Sequence, residues 1–371
     1  MSIPSSPRRR PWPLLPSSRR TVRSVVDGAG VPYRFCSSSK IALRNALVAL
    51  GCPGTNVLLP SYLPPGVVEP FHELDVEPRF YRVADDLSAD VADAEARLDD
   101  ETSAIVVVHY FGFPQPRLDE IRALADRHDL AVIDNNSHST LSRRDGRLLG
   151  TFGDVGFTSL HKTLPVPDGA VLYFNGPCVD PTERLPLTGV RDRYTCDDYR
   201  YCAGAAASSA GSVGEAALEL LDCLRNGDNK PYVPPSDDPL GEYQRSKVRM
   251  SKLSSTALTR IDPVAVTVNR RAAFARWHHH LSDDDRFAPV FEHLPPGVCP
   301  WFYPVVADDP ASLVESLAGA VSAFAWPTLP SGVRGDPDYR AENERSRRLV
   351  LLPAHQDMTP RDVDHLAARV R

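Results

Sequence analysis

Lys162 has the most chemically suggestive surroundings in this chain. It lies between an apolar run holding Val155, Phe157 and Leu160 and a turn containing Pro165, Pro167 and Gly169. A lysine held where water is partly excluded has a lowered pKa, and its neutral amine attacks carbonyl carbons to form Schiff bases. Five lysines, at 40, 162, 230, 247 and 252, stand against 37 arginines, so arginine carries the background charge and a lysine in an apolar setting stands out. Asp134, Asn135 and His138 follow a second apolar run. The flat imidazole of His138 suits stacking on a planar ring. Lys40 follows the serine run 37–39, where Ser38, Ser39 and the amides of Lys40 and Ile41 form a cradle suited to phosphate at a helix N-terminus. Ser159, three residues before Lys162, adds a hydroxyl, and His161 and His355 are candidate acid–base groups. Each of these residues also has a plain structural reading: a strand-end lysine, a serine cap, a buried histidine. His278, His279 and His280 are adjacent on a presumed helix and point to different sides, so no metal site is expected there.

These residues are placed by alternating strand and helix patterns. Residues 39–50 read as a helix entered through the serine run, 56–60 as a strand and 76–83 as another. Residues 91–98 and 118–127 read as helices, and 104–108 and 130–133 as buried strands. That alternation implies a mostly parallel sheet wrapped by helices, with ligands beyond the strand C-termini. His109–Tyr110, Asp134–His138 and Lys162 all fall there. Further on, 203–225 reads as an Ala/Ser-rich helix, and 254–281 as a long helix interrupted at Pro263. Residues 298–330 give a strand, a helix over 312–324 and a Pro-rich turn; 349–352 gives a strand and 360–370 a closing helix. The expected organisation is an N-terminal arm or disordered tail over 1–30, a large α/β domain over 31–253 and a smaller α+β domain over 254–371.

The 371 residues carry a formal charge of -6, which argues against a nucleic-acid surface. No apolar run is long enough for a membrane span, and the arginine-containing N-terminus is not a good secretion signal. Seven cysteines without CxxC spacing suggest reduced, cytoplasmic thiols.

In order, the chain shows SSSKIAL (37–43), PSY (60–62), VHYFG (108–112), IDNNSHS (133–139), SLHKTLPVPDGA (159–170), MSKLSSTALTRIDPVAVTVNRR (250–271) and LLPAHQDMT (351–359). This series resembles the DegT/DnrJ/StrS family of pyridoxal 5'-phosphate-dependent (PLP-dependent) sugar aminotransferases over residues 30–371. The resemblance implies a three-layer PLP-dependent transferase fold. It matches Lys162 to the lysine of the internal aldimine, His138 to the group stacking on the pyridine, and Ser159 with Ser38, Ser39 and Lys40 to the phosphate site. It also implies a nucleotide-linked keto-sugar substrate, an amino donor and a homodimer with the site at its interface. Two positions depart from the family. Ser39 stands where glycine is usual, and Asn135 where an aspartate salt-bridges the pyridine nitrogen. A carboxylate keeps that nitrogen protonated, which a neutral amide does less well. The alternatives are therefore a degenerate member that binds PLP or a sugar ligand without efficient transamination, and a PLP lyase or dehydratase.

Overall fold

Runs of apolar residues buried on both faces build the centre of the molecule. β1 (Tyr33–Cys36), β2 (Asn56–Pro60), β3 (Glu77–Tyr81), β4 (Thr102–Val108) and β5 (Ala131–Asn136) come first. The short hairpin β6 (Arg143–Arg144) and β7 (Arg147–Leu148) is followed by β8 (Val155–Ser159) and β9 (Ala170–Phe174). Seven of these strands form one sheet in the order β1-β9-β8-β5-β4-β2-β3. Pairing is parallel from β3 through β8 and antiparallel at β9 and β1. Every residue of β2, β8 and β9 is buried, as a sheet covered by helices on both faces requires. The helix Leu118–Arg127 shows how the cover is made. Leu118, Ile121, Leu124 and Ala125 recur on one face and are buried, while Asp119 and Glu120 lie in the first turn. The structure, a computed structural model, describes residues 7, 8, 10, 20–177, 179–209 and 238–370.

A second, antiparallel sheet of four strands follows in the order β10-β11-β13-β12, from β10 (Phe287–Pro289), β11 (Phe302–Ala307), β12 (Phe324–Ala325) and β13 (Leu349–Pro353). The helix Pro263–Leu281 packs on β10, β11 and the closing helix Pro360–Val370. Pro263 ends one helix, Lys252–Leu258, and opens the next as its first residue, with Asp262 as cap.

Three expectations change. Within the N-terminal thirty residues, Val22–Asp27 is a helix rather than tail. Thr21 and Ser24 form a capping box, and Val22 and Val26 are fully buried beside Ile261. The helix expected over 312–324 is Pro310–Leu317. Ala318 leaves helical geometry and Gly319 takes φ +74°, so Phe324 joins strand β12 instead. The helix expected over 203–225 starts earlier, at Cys196, and is described to Ser209; the rest of it lies outside the described residues. Cys36, Cys52, Cys196, Cys202 and Cys299 are free thiols.

Candidate active site

Parallel register brings three strand ends to one edge. Val108 pairs with Asn135, and Asn136 with Thr158, so His109, His138 and Lys162 all leave the sheet on the same side. Across β9, Ser159 is level with Ala170, and Ala170 with Cys36, which places the serine run beside the lysine turn. Two backbone bonds tie these turns together. Gly169 N–H donates to Ser37 O at 2.6 Å, and Leu160 N–H donates to Gly169 O at 2.9 Å. Lys162 sits in the short helical turn Leu160–Thr163.

Lys162 and His138 meet at a ring that sequence reasoning missed. The His138 imidazole stacks on the Trp301 indole with centroids 4.4 Å apart and planes at 26°. Lys162 Nζ lies over the same indole, 4.8 Å from its centroid. Burial lowers the Lys162 pKa to about 8; the Lys40 ammonium adds to the shift and Glu242 opposes it. Burial, and then Lys162, push His138 well below the ordinary histidine value, so its ring is neutral. Phe111 N–H donates to His138 Nδ1 at 2.9 Å, which leaves the proton on Nε2. The edge of Trp326 closes a further side of His138 at 5.4 Å. Phe111 itself takes φ +54°, and the next residue, Gly112, must be glycine for a steric reason. A Cβ there would come within 2.7 Å of Cys299 O and 2.8 Å of Ser139 Cβ. The VHYFG glycine therefore lets the Cys299–Trp301 segment reach His138.

The serine run begins the helix Ser39–Ala49. Ser38 is its cap, accepting from Ile41 N–H, and no acidic residue lies in the first turn. Lys40 Nζ pairs with Glu242 Oε2 at 3.0 Å. Ser159, fully buried, shares a 3.2 Å hydrogen bond with His161 Nδ1, and burial followed by Lys162 lowers His161 to about 4. The other candidate histidines are engaged elsewhere. His355 Nδ1 accepts from Asp357 N–H, His278 meets the Tyr303 hydroxyl, and His280 pairs with Asp364. Among the described residues no group of side chains is arranged to hold a metal.

Asp134 and Asn135 separate as strand alternation requires. The fully buried Asp134 carboxylate accepts from Gly150 N–H at 3.0 Å and Phe152 N–H at 2.7 Å. Its other oxygen lies 2.7 Å from His109 Nε2. His109 Nδ1 accepts from Gln115 N–H, so the ring hydrogen is on Nε2, and neither Nε2 nor Asp134 Oδ1 makes a hydrogen bond. The Asn135 Oδ1 accepts from Ser137 N–H at 2.9 Å.

Residues 35–198 match the model of the DegT/DnrJ/EryC1/StrS aminotransferase family. Over 155 residues the chain is 33% identical to UDP-N-acetyl-3-dehydro-alpha-D-glucosamine 3-aminotransferase of Acidithiobacillus ferrooxidans, covering 38% of this chain and 40% of that protein. Over 195 residues it is 28% identical to GDP-perosamine synthase of Vibrio cholerae, covering 50% and 52%. The chain thus spans about half or less of the length of these curated relatives. Among solved structures it resembles the putative sugar aminotransferase Spr1654 of Streptococcus pneumoniae in its PLP form, at TM-score 0.71, 14% identity and 99% and 97% coverage. It also resembles the aminotransferase TlmJ of Streptoalloteichus hindustanus, at TM-score 0.65, 21% identity and 96% and 91% coverage. The fold is that of these two structures.

The donor set at the strand ends suits the PLP that the sequence resemblance implies. A phosphorylated aldehyde with a flat ring needs an amine that is partly neutral, a flat neutral neighbour and a cationic helix start. Lys162, His138 and the 38–40 turn with Lys40 have those properties.

Proposed function

We propose that this chain is a PLP-dependent aminotransferase acting on a nucleotide-linked keto-sugar. The observation that carries the reading is the meeting of a lysine amine of pKa about 8 and a neutral, buried imidazole at one flat ring. The names of the sugar-nucleotide relatives matching in this region support the substrate class. When bound, the cofactor supplies an aldehyde carbon and a ring that takes up electrons released at the substrate carbon. The chain's own residues do the rest. Ser38, Ser39 and Lys40 hold the phosphate at the helix start, with Ser159 adding a hydroxyl. His138 would cover one face of the ring, and Asn135 would offer its nitrogen a neutral amide. The Lys162 amine would hold the aldehyde carbon and would serve as the base that takes up and returns a proton at its Nζ. Tyr62, Tyr110, Phe111 and Trp326, all buried, keep water from that side.

The reading divides the chain at residue 253 into a cofactor-binding part and a smaller C-terminal part. It also includes a homodimer, for which the exposed Tyr199, Leu240 and Val248 offer apolar contact surface. No helix among the described residues is long and apolar enough to cross a membrane.

The test is direct. Protein incubated with PLP is reduced with borohydride, which converts the C=N bond formed with loss of water into a stable secondary amine. The reading expects the pyridoxyl mass on the Lys162 peptide, and none in Lys162→Ala. Adding glutamate or glutamine before reduction should bleach the visible band. A pyridoxyl label absent from Lys162, or a band indifferent to every amino donor offered, overturns the proposal.

A further inference from the structure

The turn that carries Lys162 is a closed loop gripped from the helices around it. Its ends meet where Leu160 N–H donates to Gly169 O at 2.9 Å. Arg270 Nη2 donates to Thr163 O from the helix Pro263–Leu281, and the Tyr201 hydroxyl donates to Pro165 O from the helix Cys196–Ser209. Both of these contacts hold backbone carbonyls, which any residue would supply. Asp168 differs, because there the loop offers a side chain of its own.

That side chain joins the loop to the start of the helix Lys252–Leu258. Ser251 N–H donates to both Asp168 carboxylate oxygens, each at 3.0 Å. The Ser254 hydroxyl donates to Asp168 Oδ1 at 2.7 Å and to Asp168 O at 2.9 Å. Arg191 Nη2 lies 3.4 Å from Oδ2. Burial raises the Asp168 carboxyl to about 6, with Ser254, Ser251 and Arg191 opposing the rise and Asp198 adding to it, so at pH 7 it is mostly ionised and only accepts. The donors are held from elsewhere. Ser251 caps its helix, accepting from Leu253 N–H and Ser254 N–H, and its hydroxyl donates to Asp198. Arg191 Nε donates to Arg249 O. The next residue along the loop, Gly169, has φ +123°, and a Cβ there would come within 2.8 Å of Leu160 Cδ1 and 3.0 Å of Met250 Sδ. Asp168 and Gly169 together therefore bring the 250–254 segment against the lysine loop.

We infer that Asp168 is a positioning residue for Lys162: it fixes the exit limb of the loop against the 251–254 helix start and so keeps the amine on the entry limb in its buried place. Two effects of removing this carboxylate have opposite signs. By charge alone, losing a negative group makes a nearby ammonium easier to deprotonate and lowers its midpoint. Loosening the loop lets water reach the amine, which favours the ammonium and raises the midpoint. The inference expects the rise. What the amine does in catalysis rests on the proposed cofactor reading, whereas the test is read on the amine itself.

Acylation of the Lys162 peptide is followed against pH by mass spectrometry, without added PLP, in the wild type, Asp168→Ala, Asp168→Asn and Ser254→Ala. Asp168→Ala should raise the midpoint by about one unit, a roughly tenfold loss of neutral amine at pH 7. Asp168→Asn keeps one acceptor oxygen, and Ser254→Ala removes one donor and leaves the carboxylate, so both should raise it by less. Lys40, Glu242, His138 and His161, the charged and titratable groups about the amine, are unaltered in all of these proteins. Cooperative urea unfolding identifies the variants that fold, and the two milder substitutions keep the inference open to refutation if Asp168→Ala does not. A midpoint unmoved in every folded variant overturns the inference. A midpoint that falls does so too, since it would make Asp168 a source of charge and nothing more. Borohydride labelling with PLP is run on the same proteins. A wild type that takes no pyridoxyl at Lys162 overturns the cofactor reading, while the midpoints still decide whether Asp168 holds the amine.

Discussion

The pKa of Lys162 is controlled by two charges that can be removed one at a time. Burial is the main cause of its fall from 10.5 to about 8, with the Lys40 ammonium second and Glu242 acting in the opposite direction. At pH 7 an amine of pKa about 8 is neutral in about one molecule in ten, against about three in ten thousand at 10.5, a gain of about 300-fold in reactive amine. Acylation of the Lys162 peptide, quantified by mass spectrometry from about pH 6 to about pH 11, should rise with a midpoint near 8. Lys40→Met removes a repelling cation and should move the midpoint up, though short of the ordinary value because burial remains. Glu242→Gln removes an attracting carboxylate and should move it down. Two outcomes refute the reasoning. One is a wild-type midpoint at the ordinary lysine value, which would mean that water reaches the amine. The other is both variants shifting the same way, which would mean that the substitutions disturb the fold and that charge is not the cause.

Three other expectations follow from neighbouring contacts. Gly156→Ala places a Cβ 2.1 Å from Gly150 O and 2.8 Å from Asp134 O, both backbone atoms. Urea unfolding should show a loss of about 3 kcal/mol, and a loss under about 1 kcal/mol would show that the Gly150 turn yields easily. Arg270→Met abandons the carbonyls of Thr163, Pro300 and Trp301 and should cost roughly 3 kcal/mol in the same assay. It should also raise the Lys162 acylation midpoint as its turn loosens, with Arg270→Lys restoring part of both; an unchanged midpoint would detach Arg270 from the lysine turn. Asn135→Asp puts a carboxylate into a buried place and should lower the melting temperature of the free protein, by a destabilisation of about 1–3 kcal/mol. Pyridoxamine phosphate should then raise the melting temperature by more than in the wild type, and equal shifts in the two proteins would remove Asn135 from the ring nitrogen.

Much of the fold was legible because the decisive patterns are local. The strand 56–60 and the helix 118–127 were read to the residue, since apolar runs and helical spacing are complete within those segments. Pro263 as a break was legible for the same reason. The helix expected through residue 324 was not, because Gly319 and a pairing of Phe324 with Leu351 decide it, and that pairing is distant in sequence. Helix Val22–Asp27 is short, and its stability comes from Val22 and Val26 packing in the cluster that holds Leu258 and Ile261. At the site, Lys162 and His138 were legible from their motifs. Trp301, Glu242 and Arg270 were not. Residue 301 reads as one more aromatic in a strand, and its meaning appears only when Gly112 admits its segment to His138.

The same distinction decides what the acidic position can do. Asp134 looks from sequence like a spare carboxylate beside an amide. In the structure one of its oxygens takes two backbone N–H groups, and the other lies 2.7 Å from His109 Nε2. Turning it toward the other face of β5 would strand two buried backbone donors, each costing about 1–3 kcal/mol. The chain therefore cannot borrow Asp134 to serve a ring nitrogen. On the proposed reading Asn135 is the residue that faces that nitrogen, and Ser137 N–H already fixes the role of its Oδ1 as an acceptor. What remains is Nδ2, which only donates hydrogen bonds. A donor favours a nitrogen with a free electron pair, whereas a carboxylate favours one that carries a proton. The substitution at 135 thus reverses the sign of the interaction as well as weakening it. An aspartate at this position would accept from Ser137 N–H with one oxygen and keep the other for a protonated ring, so one residue decides which protonation state the site prefers.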